Sequence, residues 1–283
     1  MKVAQVIAEK FITAIQTTKV LPWQKQFTGM GYCNAVSKRQ YRGINILLAS
    51  YFGADSEYLT FNQAKAAGGM VKKGSKGIPI CFYTKTPEKP GKKSFFYMVY
   101  YTVFNLKDIE GGNIKRREMP NKNFAPIELA EKLALASGVP ITHGADGASY
   151  IPARHEIKMP HAAQYNTTAN YYKTLFHELT HAMGKACGVQ FDTNFGSDSY
   201  AKEELVAELG ANLFLTHCGI DAEGLFDNSQ AYFQGWLKRL QGDHSLLISA
   251  ASQAQKRFDA LMALVNPAES ADAEEGEEEA VVA

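Results

Sequence analysis

The sequence lacks any long uninterrupted run of apolar residues, because its hydrophobic stretches are short and broken by charged residues. A membrane-spanning helix needs about 20 apolar residues in succession, so we expect no membrane partner. The initial segment MKVAQVIAEKFITAIQ mixes charged with apolar residues and has no small-residue cleavage site, which argues against a signal peptide. The four cysteines show no CxxC spacing, so neither a cysteine-bound zinc ion nor a disulfide framework is expected. These absences predict a protein of the reducing cytoplasm, with a monomer as the default state.

The net charge of +1 is small, but the two halves of the chain carry opposite charges. Residues 1–120 contain 19 lysines and arginines against 7 acidic residues, whereas residues 121–283 contain 11 against 22. A difference this large predicts two domains with different partners, and the basic one invites a polyanion such as nucleic acid. A solvated lysine-rich surface is the alternative interpretation.

The first half has the pattern of a small mixed α/β domain, which we assign to residues 1–106. A helix is predicted at 2–19, a short one follows an Arg-Gly turn, and a third runs from Thr60, a good N-cap, to a glycine pair. The runs IPICFYT and SFFYMVYYTVF have the β-branched and aromatic composition of two strands joined by a hairpin loop. Residues 107–125 combine glycines, charges and a proline, which predicts an interdomain linker.

The second half, residues 126–265, has the pattern of a mainly helical domain with a small β-sheet. Its helices are predicted at 126–137, 168–186, 199–217, 229–240 and 244–264, with a β patch between the first two. The tail at 266–283 is acidic and of low complexity, so we expect it to be disordered. The two halves together predict an α+β fold class.

The segment TLFHELTHAMG contains the pattern HExxH at residues 177–181. Residues four apart project from the same face of a helix, so His177 and His181 can both reach one metal ion. Glu178 lies about 100° round the helix and can instead take a proton from a water in the open coordination position. This arrangement is typical of a zinc peptidase. The alternative is a purely structural role, which the cost of burying a His-Glu pair in an apolar helix disfavours.

Two acidic residues in SYAKEELVAELGANLFL offer a third metal ligand. Glu204 and Glu208 are four apart and share one face of a helix that is otherwise apolar at those turns. In the gluzincin pattern, the first acid binds the metal and the second accepts the N–H of a ligand histidine. We therefore predict Glu204 as the ligand and Glu208 as the outer partner, with Glu203 as the fallback ligand. Zinc is the default ion for this ligand set, and manganese or another divalent ion could occupy it.

The remaining histidines are weaker candidates, because they show no ligand spacing: His143, His155, His161 and His217. A donor to the developing oxyanion is expected in such a site. The sequence leaves four tyrosines open for that role: Tyr165, Tyr171, Tyr172 and Tyr200.

Aromatic residues are interleaved with the basic residues of the first half. Single-stranded nucleic acid is held by lysine and arginine on its phosphates and by bases stacked on aromatic rings. The signatures of duplex-reading motifs are missing from the sequence. We predict non-specific single-strand binding through loop and loop-edge residues, namely Trp23, Lys25, Lys38, Arg39, Tyr41, Arg42, Lys72, Lys73 and Lys76.

The motifs of both halves, taken together, resemble one known family over about residues 5–262. The runs LPWQKQF, YRGINILLASYF, YLTFNQAKAAGG and YYTVFNLKDIEG resemble the N-terminal domain of the ArdC-type antirestriction proteins of plasmids and phages. The runs YYKTLFHELTHAMG and YAKEELVAELGANLFL are similar to the zincin-like metallopeptidase domain that follows in that family. The resemblance implies single-stranded DNA binding and protection of incoming DNA from host restriction. It places metal ligands on His177, His181 and, less directly, Glu204, and the catalytic glutamate on Glu178.

Two other functions stay open at this stage. The chain could be a regulatory peptidase whose basic domain recognises an acidic host protein. It could also be a DNA-binding protein whose metal site is structural, since antirestriction that depends only on DNA binding is compatible with an intact HExxH pattern.

Overall fold

The structure, a computed structural model, describes residues 3–22, 31–53, 56–86, 94–117, 126–189, 197–221 and 230–266. The helices in these ranges are α1 (Val3–Thr18), α2 (Ile44–Phe52), α3 (Phe61–Ala66), α4 (Pro126–Ala136), α5 (Thr168–Ala186), α6 (Asp198–Cys218), α7 (Gln230–Gly242) and α8 (Leu246–Val265). The strands are β1 (Cys33–Asn34), β2 (Glu57–Thr60), β3 (Gly69–Val71), β4 (Ile78–Lys85), β5 (Phe96–Asn105), β6 (Ile109–Gly111), β7 (Ile141–His143), β8 (Ser149–Ile151) and β9 (Glu156–Met159). A mixed first half and a mainly helical second half with a small sheet confirm the predicted α+β fold class.

Some of the sequence predictions fall outside the described ranges. Trp23 and Lys25, which were predicted to bind DNA, belong to these, as does the acidic tail after Asn266. None of the helices in the described part of the chain combines the length and the apolar content needed to cross a bilayer.

The first half contains a four-stranded sheet with the order β1-β2-β5-β4. β4 and β5 form the long antiparallel hairpin that the two aromatic runs predicted, and Lys85 lies opposite Phe96 near its tip. Helix α3 begins at the predicted N-cap, because the Thr60 hydroxyl accepts the N–H of Gln63 at 3.2 Å. The Gln63 side chain returns a bond by accepting the N–H of Thr60, which completes a capping box. The box holds Phe61, the first residue of α3, in place at the end of β2.

Residues 109–111 form a strand, where the sequence predicted an interdomain linker from residue 107. This strand, β6, pairs antiparallel with β3. Further along, the Arg117 guanidinium donates to the Gly31 carbonyl at 3.0 Å, and its backbone N–H donates to Glu57 at 3.1 Å. The chain as far as Arg117 therefore belongs to the first half. Two three-residue strands are too short to show a periodic pattern, which is why the sequence did not reveal this pairing.

The second half packs α4, α5, α6 and α8 around one hydrophobic cluster, with the sheet β7-β9-β8 against it. Phe176 of α5 stacks on Phe214 of α6 at 5.3 Å between ring centroids. Phe258 of α8 packs against the same Phe214 ring at 5.1 Å. These ring contacts hold α5, α6 and α8 together as the layer that carries the HExxH pattern.

Another hydrophobic cluster crosses from the first half into the second. It combines the buried face of α1 with residues of α6, α7 and α8. Phe11 of α1 and Leu240 of α7 are both buried in this cluster. A polar contact also joins the two halves, because the backbone N–H of Gly43 donates to the side chain of Gln255 on α8 at 3.2 Å. The two halves are therefore joined by a common core, so we expect them to unfold together.

Replacement of Leu240 by alanine should test this shared core. Leu240 is 1% exposed, and a Leu→Ala change at a buried site costs roughly 2–5 kcal/mol of unfolding free energy. Urea unfolding followed by circular dichroism should show one transition shifted to lower denaturant. The matched control is Leu135→Ala, since Leu135 is 84% exposed and its loss should change the midpoint little. Two separate transitions, of which only one moves, would show that the halves do not share a cooperative core.

Candidate metal centre

Helix α5 carries the first two candidate ligands on one face. It begins after Thr167, whose hydroxyl accepts the N–H of Asn170 at 3.1 Å. Its middle is apolar and buried, so the polar side chains of the HExxH pattern stand at the edge of the core. The Nε2 atoms of His177 and His181 lie 3.2 Å apart. Both rings therefore present the same type of nitrogen to one point.

Helix α6 brings the third candidate ligand to that point. Glu204 Oε2 lies 3.4 Å from His177 Nε2, and Glu204 Oε1 lies 3.7 Å from His181 Nε2. The two helices approach closely because Gly210 of α6 faces Thr180 of α5. A Cβ atom at Gly210 would overlap the Thr180 side chain, so only glycine permits this contact. In the described residues, His177, His181 and Glu204 form a group whose ligand atoms all lie within 4.8 Å of one another.

The separations between the ligand atoms of these three residues are compatible with one tetrahedral metal ion. Ligands at about 2.0–2.2 Å from such an ion are separated from one another by roughly 3.3–3.6 Å. The two imidazole nitrogens are 3.2 Å apart, and the two oxygens of Glu204 lie 3.4 Å from His177 Nε2 and 3.7 Å from His181 Nε2, which is close to this range. Two imidazoles and one carboxylate are also the donor set of catalytic zinc sites with one open position. The residues present therefore fit a divalent metal ion.

Glu203 does not point at this cluster, although it was the fallback ligand in the sequence interpretation. Its Oε1 atom lies 2.8 Å from His181 Nδ1, so the carboxylate orients the ring from the far side. The Arg257 guanidinium holds both oxygens of Glu203, at 2.5 and 2.7 Å. Burial raises the pKa of Glu203, but the hydrogen bonds from Arg257 and His181 outweigh it and lower the pKa to about 2. Glu203 thus takes the role of outer partner for His181.

Glu208 lies on the predicted side of the cluster, but further away than a hydrogen bond requires. Its Oε1 atom is 3.9 Å from His177 Nδ1, and its Oε2 atom is 3.9 Å from Lys173 Nζ. Burial lowers the pKa of His177, but the hydrogen bond to Glu204 and the charges of Glu208 and Glu178 outweigh it. The pKa of His177 is therefore raised, and a metal ion has to compete with a proton at this ring.

Glu178 is buried and held in place by a backbone group of the small sheet. Its Oε2 atom accepts the N–H of Tyr150, in edge strand β8, at 2.7 Å. This hydrogen bond from β8 fixes one oxygen of the carboxylate, and the position of the other oxygen follows from it. A backbone donor has no signature in the sequence, so this contact could not be predicted.

The four tyrosines considered as oxyanion donors separate into two pairs. Tyr171 and Tyr172 are engaged elsewhere, since their hydroxyls contact His143 at 3.0 Å and Glu131 at 2.8 Å. Burial and the charge of Glu204 raise the pKa of Tyr200 to about 12. Burial, with a smaller contribution from the charge of Glu178, raises the pKa of Tyr165. Tyr200 is therefore the one whose hydroxyl interacts with the candidate ligand Glu204, whereas the Tyr165 ring packs edge-on against Tyr171 at 5.4 Å.

Three of the other histidines contact aromatic residues and do not belong to the group formed by His177, His181 and Glu204. His155 contacts the Tyr150 hydroxyl through Nδ1 at 2.9 Å, and His143 contacts Tyr171. His217 packs edge-on against Phe258 at 5.6 Å.

The residues predicted to bind DNA near position 40 occupy different environments. Tyr41 is 7% exposed and its ring belongs to the core, so the prediction that it stacks on bases is wrong. Lys38 donates to Glu57 at 3.2 Å and to the Lys115 carbonyl at 2.5 Å. Arg42 pairs with Asp259 of α8. Arg39 is exposed at the surface.

The basic turn before β4, Lys72–Gly77, is more accessible to a partner than the residues near position 40. Lys72, Lys73 and Lys76 are all exposed. Lys72 Nζ donates to the Lys107 carbonyl at 2.9 Å, which fixes the turn against the segment after β5. These three lysines remain candidates for contact with phosphate groups.

Arg257 is the contributor to the centre that the sequence interpretation missed, although a signal existed. Helix α8 buries Ala250, Ala254 and Leu261, which are spaced four and seven residues apart. Arg257 lies between Ala254 and Leu261 on the same apolar stripe, where a charged residue is unusual. A buried charge needs a partner of opposite sign, and an acidic residue near the histidines was the obvious one.

The fold and the centre define the class of protein first. Residues 128–253 match a family model described as a zincin-like metallopeptidase. Residues 1–124 match a model described as the N-terminal domain of the anti-restriction factor ArdC. The class is thus a zincin-like metallopeptidase fold preceded by an ArdC N-terminal domain.

Solved structures and curated relatives identify the family. The crystal structures of the antirestriction ArdC protein from plasmid R388, metal-free and Mn(II)-bound, each match with a TM-score of 0.76. They are 30% and 32% identical to the chain and cover 94% of it, and the matches cover 99% and 98% of the ArdC chains. An uncharacterized protein of Sinorhizobium fredii is 30% identical over 84% of this chain and 83% of its own length. The chain belongs to the ArdC family of antirestriction proteins.

Longer proteins contain a similar region. Two DNA primases TraC of Escherichia coli are 33% and 31% identical to the chain over 91% and 92% of its length. The chain spans only 27% and 20% of the length of these primases.

Removal of the carboxylate ligand should weaken metal binding. Glu204→Ala deletes one of three converging ligands, so the affinity for Zn²⁺ should fall by more than the roughly 10- to 100-fold that loss of an outer partner costs. Isothermal titration of metal-stripped protein with Zn²⁺ and Mn²⁺ measures this, and about one ion per chain is expected for the wild type. Glu178→Gln should keep the affinity, and His217→Ala serves as a control, because His217 lies about 20 Å along α6 from Glu204. A Glu204→Ala variant that binds metal like the wild type would contradict this ligand set.

Loss of the Arg257 guanidinium should destabilise the protein strongly. Arg257→Met leaves the Glu203 carboxylate buried without its partner, which costs about 3–5 kcal/mol of unfolding free energy. Adding Glu203→Gln should recover part of this loss, because the unpaired charge disappears. The control is Arg239→Met, whose pairing with Asp198 is exposed to water and worth little. Urea unfolding of metal-free protein measures these changes. A loss of unfolding free energy below about 1 kcal/mol for Arg257→Met would show that the ion pair is unimportant for stability.

Proposed function

We propose that the protein binds single-stranded DNA through its first half and thereby protects incoming plasmid or phage DNA from host restriction. The observation that carries this proposal is the segregation of charge, with 19 basic against 7 acidic residues in positions 1–120. A surface with this excess of positive charge attracts phosphate groups and releases their counterions on binding. The membership of the ArdC family supports the antirestriction role of that binding.

The exposed lysines of the turn Lys72–Gly77 are the phosphate contacts that we favour. Lys38 and Arg42 already have carboxylate partners in Glu57 and Asp259, so DNA would have to displace these pairs. Lys73 and Lys76 are exposed on a turn that Lys72 anchors to the fold. An anchored turn loses less conformational freedom on binding than a mobile one, which favours these residues.

The relatives give general support for a nucleic-acid partner. TraC is named a DNA primase, so a region similar to this chain occurs within a protein that acts in DNA synthesis. Because the chain spans about a quarter or less of the two TraC primases, we propose no primase activity for it.

The candidate centre would hold a divalent ion through His177, His181 and Glu204. Zinc is the ion that this donor set favours. Manganese is the alternative, since the ArdC protein of plasmid R388 has been crystallised with Mn(II). A divalent ion bound there would supply Lewis-acid chemistry, polarising a carbonyl group and acidifying a water molecule.

The residues of the chain supply the remaining parts of a peptidase site. Glu178 is fixed through Oε2 by the N–H of Tyr150, so its other oxygen can take a proton from water and deliver it to a leaving amine. Glu203 accepts the Nδ1 proton of His181, which sets the tautomer that leaves Nε2 as the metal-binding atom. The hydroxyl of Tyr200 stays protonated near neutral pH because its pKa is about 12, so it can donate to a developing oxyanion. We propose peptide-bond hydrolysis of a host protein as the chemistry that this site supports.

A protection experiment separates the DNA-binding role from the peptidase role. The triple variant Lys72→Glu, Lys73→Glu, Lys76→Glu should bind single-stranded oligonucleotide more than about tenfold more weakly than the wild type. Its slope of log K against log salt should fall by roughly 2, because each phosphate contact contributes about 0.7. Restriction survival of transferred DNA should fall in parallel. Fluorescence anisotropy and transfer efficiency into a restricting host measure the two effects.

Two further variants complete this experiment. Lys132→Glu, Lys185→Glu, Lys256→Glu makes the same change of charge at exposed positions of the second half and should keep oligonucleotide binding. Glu178→Gln should also bind DNA normally. If it still protects, protection requires binding alone; if protection is lost, the peptidase chemistry is part of the function. Unchanged affinity in the triple variant at positions 72, 73 and 76 would contradict the proposed DNA surface.

A further inference from the structure

The hairpin of β4 and β5 exposes an unusual number of large aromatic side chains. Six of them lie on the hairpin or at its strand ends: Tyr83, Phe95, Phe96, Tyr97, Tyr100 and Tyr101. Soluble proteins rarely expose contiguous apolar patches of this kind unless a partner covers them. In the part of the hairpin that the structure describes, all six of these rings are more than 40% exposed.

One side of the hairpin arranges its rings in a row. Residues two apart on a strand share a side, as do residues opposite one another, so Tyr97 and Tyr101 share a side with Phe82. The Phe95 and Tyr97 ring centroids lie 6.2 Å apart, and those of Phe82 and Tyr101 lie 5.7 Å apart. The row runs from the outer part of the hairpin towards helix α3.

The row ends in a groove between β5 and α3. This cavity of about 470 Å³ is lined by Thr60, Phe61, Asn62, Gln63, Ala66, Tyr101 and Thr102. Phe61 is 53% exposed and Tyr101 is 55% exposed, so both rings offer open surface at the groove. The capping box fixes the start of α3 and therefore the backbone position of Phe61. Two aromatic rings thus flank a space within the size range of small-molecule sites, roughly 300–1,000 Å³.

The groove adjoins the basic turn. Gly77, at the end of that turn, packs so closely on Thr102 that a Cβ atom would overlap the threonine side chain. Lys73 and Lys76 are therefore carried on the segment that borders the groove, and both are exposed. Positive charge beside open aromatic rings is the combination that single-stranded nucleic acid requires. A duplex offers the same phosphates, but its base faces are already stacked on one another.

We propose that Phe61 and Tyr101 form a base-stacking site for single-stranded DNA in this groove. Unpaired bases enter between the two rings, the strand continues along Phe82, Tyr97 and Phe95, and the lysines of the turn contact its phosphates. This assignment rests on the single-stranded DNA binding proposed above. Phe61 and Tyr101 would stack on the bases in place of Tyr41, whose ring is buried.

Alanine substitution of the two groove rings tests the proposal. Phe61→Ala and Tyr101→Ala should each weaken binding of a fluorescein-labelled oligothymidylate by roughly 5- to 150-fold, the range of one lost base stack. The salt dependence should stay at the wild-type slope, because no phosphate contact is removed. Tyr101→Phe should retain binding and Tyr101→Leu should not, since stacking needs a ring and not only an apolar side chain. Thermal unfolding should be unchanged, because both rings are more than half exposed.

The matched control is Phe96→Ala, which removes an even more exposed ring, at 68%, from the other side of the same hairpin. It should change the affinity by less than about twofold, because no stacked base is lost there. An equal loss in Phe96→Ala, or wild-type affinity in the double variant Phe61→Ala, Tyr101→Ala, would overturn the groove assignment. So would a change in oligomeric state on sedimentation of the double variant, which would show that a second copy covers the patch. Failure of the wild type to bind any oligonucleotide would instead contradict the DNA-binding function itself.

Discussion

The buried ion pair between Arg257 and Glu203 is the interaction on which the arrangement of the candidate centre depends. Arg257 is 0% exposed, so its charge has lost water on all sides and is matched by both oxygens of Glu203. The desolvation of such a pair roughly offsets its attraction, so its contribution lies in position more than in net stability. Through Glu203 it ties α8 to α6, and through His181 it ties both helices to α5. The relative placement of three helices is thereby set at the point where the ligand atoms meet.

The same helix also links the centre to the basic half. Gln255 and Asp259 are four residues apart and share one side of α8, whereas Arg257 lies on the opposite side. Gln255 accepts the N–H of Gly43, and Asp259 pairs with Arg42. One face of α8 thus positions the candidate metal ligands, and its other face positions the segment after β1. The common hydrophobic core of α1, α6, α7 and α8 is the apolar counterpart of these polar contacts.

Local spacing in the sequence was enough to predict the parts of the site that lie on single helices. His177 and His181 are one helical turn apart, which places both rings on one face of α5, where their Nε2 atoms lie 3.2 Å apart. The choice of Glu204 over Glu203 agrees with the observed convergence, but the role of Glu203 depends on where a distant helix places Arg257. The N–H of Tyr150 and the close contact at Gly210 likewise arise from tertiary packing. Such contacts join residues far apart in the chain, and no local pattern encodes them.

The aromatic residues of the first half illustrate the same limit and also indicate where selectivity for single strands would reside. Tyr41 and Tyr101 both occur among basic residues, yet one is buried in the core and the other lines an open groove. Lysines on the turn before β4 can attract any nucleic acid, because phosphates are present in single strands and duplexes alike. Exposed rings can stack only on bases that are not already stacked in a duplex. Preference for single strands therefore has to come from the rings, whereas the lysines provide affinity and its dependence on salt.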